Sequence, residues 1–192
     1  MVSIEELRKI ISDSLDEEEE VRDRAYSLSR DLIRDCRRFI SEAVNGREVN
    51  ESELLTAAEE LIKLYQSPAC QKFSFIDDSM VELSEAVILN RTLKGEGLPV
   101  PADIPLNERV YVLGACDAVG EMRRVVLNLL LREKLEEAEE TFERMNELSY
   151  LVEGLSYPSG MIPLKKKQDV VRSLMDRTAG EIAFAKYSLG KR

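Results

Sequence analysis

VYVLGACDAVGEMRRVVLNLLL, residues 110–131, decides how this chain folds. Its apolar residues recur at helical spacing, and the run has no strand-like alternation. Asp117 and Glu121 stand at i and i+4, and Arg124, Asn128 and Arg132 continue the same line. Apart from Arg123, everything else is apolar or glycine. The stretch therefore reads as a helix buried nearly all round, with one narrow polar stripe. A buried carboxylate without a partner costs several kcal/mol, so something must compensate Asp117 and Glu121. Gly114 and Gly120 each weaken the helix by roughly 1 kcal/mol, a cost explained if close packing or a ligand needs the space.

Helical spacing extends outward in both directions. Short and long helices are expected near 3–14 and 17–45, the second ending at Asn45-Gly46. Another spans about 50–66 and stops before Ser67-Pro68. PACQKFSFID (68–77) reads as a connector, with the next helix starting after Asp78 or Ser79 and ending by Gly95. GLPVPADIP (97–105) is a rigid extended loop. Helices near 106–132, to about 153, and over 164–188 complete the chain. The expected fold is all-α: roughly seven helices in an antiparallel bundle, one domain over residues 1–192.

Composition narrows the chemistry. The chain has 192 residues, 44% hydrophobic and 33% charged, enough for a core. Histidine is absent, which removes Ser-His-Asp and Cys-His catalysis and His-ligated metals from this chain. Cys36, Cys70 and Cys116 form no Cys-x-x-Cys pair and read as small buried residues. Catalysis would fall to carboxylates, Lys, Tyr, Ser, or a metal held by oxygen. No secretory signal or membrane span is read, so a cytoplasmic location without membrane contact is expected. The net charge of −10 argues against nucleic acid, but the charge is segregated. Residues 21–38 carry six Arg against three Asp, and 161–178 carry five basic residues against two acidic.

Two further stripes matter. Arg30, Arg34, Arg37 and Arg38 lie at i, i+4, i+7 and i+8, on one helix face. They read either as a solvated, salt-bridged surface or as a phosphate-contacting one. In SMVELSEAVILNRTL (79–93), Glu82 and Glu85 lie one turn apart in a helix that is otherwise apolar. Two buried helices thus each present two carboxylates. Four clustered carboxylates repel, and Mg²⁺ or Mn²⁺ would relieve that with oxygen ligands. The alternative is internal pairing of Asp117 or Glu121 with Arg124. From the pattern these two readings stand level.

LSRDLIRDCRRFI (28–40), VELSEAV (81–87), LGACDAVGEMRR (113–124) and PLKKKQDVVRSLMDRTAGEIAFA (163–185) together resemble the translin superfamily, its TRAX branch in particular. The resemblance runs over most of the chain. It implies an all-α fold in hollow oligomers, commonly octamers, with RNA inside and carboxylates facing the cavity. It implies Mg²⁺-dependent endoribonuclease activity, with Glu82, Glu85, Asp117 and Glu121 as metal-binding and catalytic residues. Arg30, Arg34, Arg37, Arg38, Arg123 and Arg124 are the nucleic-acid-binding candidates, for RNA or single-stranded DNA. The family often has His after the basic helix, where this chain has ISEAVNG (40–46). The competing readings are a non-catalytic single-stranded RNA- or DNA-binding shell and an all-α nucleoside-triphosphate pyrophosphohydrolase. A helical adaptor would leave the inner polar stripe unexplained.

Overall fold

A computed structural model describes residues 2–70, 72–104 and 106–189. Among them are six α-helices: α1 (Ile4–Val44), α2 (Glu51–Gln66), α3 (Ser74–Lys94), α4 (Glu108–Leu131), α5 (Leu135–Glu153) and α6 (Leu164–Leu189). Single 3₁₀ turns at Pro68–Cys70 and Pro101–Asp103 sit in the α2–α3 and α3–α4 connections. The described residues contain no strand.

The all-α expectation holds, with six helices in place of about seven. The two helices expected before Asn45 are one, because nothing between Ser14 and Glu17 breaks the chain. The acidic run 16–20 has no Gly or Pro, and glutamate is a good helix former. The start of α1 is a capping box: Ser3 Oγ accepts from the Glu6 N–H, and Glu6 accepts from the Ser3 N–H. Helix α3 begins at Ser74, earlier than expected, so FIDD joins the helix. Gly95, with φ 74°, ends it in the left-handed conformation that glycine adopts freely.

Helix α4 is the centre of the molecule. It packs on α3, α5 and α6 and also touches α1, while α3 lies between α1 and α4. Met80, Leu83, Val87 and Ile88 of α3 and Ala115, Ala118, Val119 and Met122 of α4 are buried in one core. The α3–α4 contact is close because of Gly114. A Cβ there would stand 2.7 Å from Ser84 Cβ and 2.8 Å from the Glu85 backbone nitrogen. Gly120 is different: its Cβ would meet Leu174 at an ordinary 3.8 Å, so packing does not demand glycine there. Glu51 of α2 accepts hydrogen bonds from Asn90 and Arg91 of α3, tying these helices at their ends. Residues 4–20 of α1 are exposed on all sides, and burial begins at Val21.

Candidate functional site

The two short acidic motifs meet across the α3–α4 contact. Glu82 and Glu85 sit one turn apart on α3, either side of Leu83 and Ser84, which are fully buried and fix the rotation of the helix. Asp117 and Glu121 sit one turn apart on α4, just past Gly114. Because Gly114 lets α4 approach the backbone at Glu85, the four carboxyls share one region. Their mutual influence is visible at Glu85. Burial first, then the charges of Asp117, Glu82 and Glu121, push its carboxyl up to about 8.

Three of the four acids have a cation. Arg37 of α1 donates to Glu82 at 3.2 Å. Arg124 donates to Glu121 across one turn of α4, the internal pairing that the sequence left open. Asp117 is paired by Lys167 at the start of α6, whose ammonium bonds both carboxylate oxygens, Oδ2 at 2.6 Å. Lys167 was not among the sequence candidates. It lies fifty positions from Asp117, and only the basic run 165–167 hinted at it. Glu85 has no ion pair among the described residues.

Each candidate arginine has a definite place. Arg30 lies exposed over the Tyr26 ring, 6.0 Å from its centroid. Arg34 is exposed and paired with Asp31. Arg37 is turned to the carboxylates. Arg38 pairs with Asp35 and lines a hollow of about 300 Å³ with Glu42, Glu48 and Glu53, between α1 and α2. Arg123 points the other way from Arg124: it is largely buried and donates to Glu181 of α6 at 2.6 Å. Adjacent helical residues lie about 100° apart, so the pair cannot serve one surface. The structure therefore brings Arg37, Arg124 and Lys167 to the acids and leaves Arg38 and Arg123 elsewhere.

The donor set suits a hard divalent cation: four carboxyls, no imidazole, and one half-buried acid that makes no ion pair among the described residues. In the arrangement seen, no three acidic or cysteine side chains among the described residues converge closely enough to coordinate an ion. Three side-chain cations pair with three of the four acids. The cysteines take no part. All three are buried, and burial raises their thiols, that of Cys116 up to about 12.

No family model matches the chain. The structure superimposes on AfC3PO, with a TM-score of 0.79 and 28% identity over 96% of this chain and 97% of that one. A second AfC3PO structure, a complex with duplex RNA, gives 0.82 and 26% over 94% and 96%. The fold is the C3PO fold. A third C3PO protein, apo-NeC3PO, shares it at only 17% identity, with a TM-score of 0.81 over 92% of this chain and 96% of that one. An uncharacterized protein of Methanocaldococcus jannaschii is 27% identical over 186 residues, 95% of this chain and 83% of that protein. The C3PO likeness supports the translin-superfamily resemblance read from the sequence. No described helix is long and apolar enough to cross a membrane.

Proposed function

We infer that this chain is a TRAX-like, divalent-metal-dependent endoribonuclease of the C3PO type, acting in the cytoplasm on RNA enclosed by a hollow homo-oligomer, an octamer on the family pattern. One observation carries the reading. Four carboxyls from α3 and α4 share a half-buried region, and Glu85 in their midst makes no ion pair among the described residues. A bundle built only for stability gains nothing from that, since a buried uncompensated acid weakens it. The likeness to AfC3PO, seen with duplex RNA, supports RNA as the substrate.

The chain's own residues divide the work. Glu82, Glu85, Asp117 and Glu121 would hold Mg²⁺ or Mn²⁺. Bound there, the ion supplies Lewis acidity toward a phosphodiester and eases ionisation of water. Arg124 and Arg37 stand at the edge of the acids with exposed guanidinium groups, placed to draw a phosphate toward them. Arg30 and Arg34 extend this positive edge along α1.

Purified protein is expected to cleave short RNA with Mg²⁺ and to lose at least about 100-fold in rate when EDTA is added. Cleavage that persists in EDTA rejects the reading. The existing ion pairs at Glu82, Asp117 and Glu121 favour a second reading, a non-catalytic RNA-binding protein whose acids are structural. That reading predicts salt-sensitive RNA binding and no metal-dependent turnover.

A further inference from the structure

Lys167 occupies a position that helix stability does not explain. The start of a helix carries partial positive charge and favours acids. The first turn of α6 has no acidic residue and instead runs Lys165-Lys166-Lys167. Lys165 and Lys166 are exposed, whereas the Lys167 side chain is two-thirds covered. Its ammonium bonds both oxygens of Asp117, and its charge also reaches Glu85.

The backbone beneath Lys167 is held firmly. The next residue, Gln168, is buried and donates from Nε2 to the carbonyls of Val152 and Leu155, locking the start of α6 to the end of α5. Leu164, one turn earlier, is also buried. The base of Lys167 is thus fixed, and only its flexible four-carbon stem can move the ammonium.

We propose that Lys167 is an exchangeable counter-ion that competes with the divalent cation for Asp117 and so sets the affinity of the site for metal. This rests on the metal-site reading above. Without metal, the ammonium neutralises Asp117. A metal ion held by the acids would take Asp117 over, and the lysine head would then swing out on its stem. The apparent dissociation constant of the metal is raised by the reciprocal of the fraction of molecules in which Asp117 is unpaired. The site then fills only where divalent cation is plentiful.

Calorimetric titration of the full chain with Mn²⁺ alone tests this, counting as site binding only what Glu121→Gln abolishes. Lys167→Met, which keeps the stem and removes the charge, is expected to bind Mn²⁺ about five- to tenfold more tightly than wild type. Lys166→Met makes the same change in net charge one position away and is expected to shift affinity less than twofold. Lys167→Arg keeps a cation at the position and is expected to stay near wild type, which also serves if Lys167→Met fails to fold. Equal or weaker Mn²⁺ binding in Lys167→Met, or equal tightening in Lys166→Met, overturns the proposal while leaving the metal site standing. If wild type shows no Mn²⁺ binding that Glu121→Gln removes, the metal site itself falls, and the competition with it.

Discussion

Glu85→Gln is expected to make the protein more stable at alkaline pH while lowering Mg²⁺-dependent RNA cleavage by about 10²–10³-fold. The stability half follows from the raised carboxyl. In the fold Glu85 titrates near 8, pushed up by burial and then by Asp117, Glu82 and Glu121, against an ordinary value of 4.5. Between these values the folded state holds a proton that the unfolded state has released. Stability therefore falls as pH rises through this window, and the full penalty is present above about pH 8. Glutamine resembles the protonated acid and carries no such penalty. The variant should melt on the order of 5 °C higher at pH 9 and within a degree or so of wild type at pH 4. The activity half follows because the amide replaces a charged oxygen donor in a hard-cation site. Melting curves at the two pH values, with cleavage assays on the same preparations, check both halves. A variant that is more stable and fully active would mean that Glu85 is a tolerated buried acid with no part in catalysis.

Gly114→Ala is expected to destabilise the fold by about 2–3 kcal/mol, lowering the melting temperature by roughly 5–10 °C. The new methyl would stand 2.7 Å from Ser84 Cβ and 2.8 Å from the Glu85 nitrogen. The second neighbour is backbone in the middle of a helix and cannot rotate away. Relief requires α4 to move off α3, which also separates Asp117 from Glu85. Ser84 Oγ donates to the Tyr111 carbonyl at 3.4 Å, and that contact would be lost with the same movement. Gly120→Ala is the internal comparison. Its methyl meets Leu174 at 3.8 Å, and the substitution should stabilise by about 1 kcal/mol through helix propensity. Thermal melts of the two variants side by side decide the matter. If Gly114→Ala melts at or above wild type, the two helices are not held at the separation described.

The helices were legible because their signals are local. Asn107 before α4 accepts a hydrogen bond from the Val110 N–H, and Asn50 does the same for α2 from Glu53, as cap residues should. The acidic run 16–20 does not interrupt α1, because only Gly, Pro or a competing cap would end a helix there. The four acids could be read from spacing, since i, i+3 and i, i+4 place residues on one face. Spacing could not distribute the counter-ions. Arg123 and Arg124 are neighbours in sequence, yet one is buried against Glu181 on α6 and the other meets Glu121. Lys167 reaches Asp117 only because α6 packs on α4, and no local pattern encodes that contact. The glycines also looked alike in sequence, and only the distance to α3 separates Gly114 from Gly120.

Helix α1 runs unbroken for 41 residues, about 60 Å at the usual rise. Residues 4–20, more than a third of that length, are exposed all round. A separate peptide of that size would be only marginally helical in water. Here its nucleation is already done by the buried half, where Ala25, Leu32 and Cys36 are locked into the core. The exposed half is then a propagating end, held by Ser3, Glu6 and the ion pair of Glu18 with Lys72. Amide hydrogens along this single helix should consequently exchange at very different rates. Those near Leu32 await global unfolding, while those near Leu7 exchange through fraying that leaves the rest of the molecule intact.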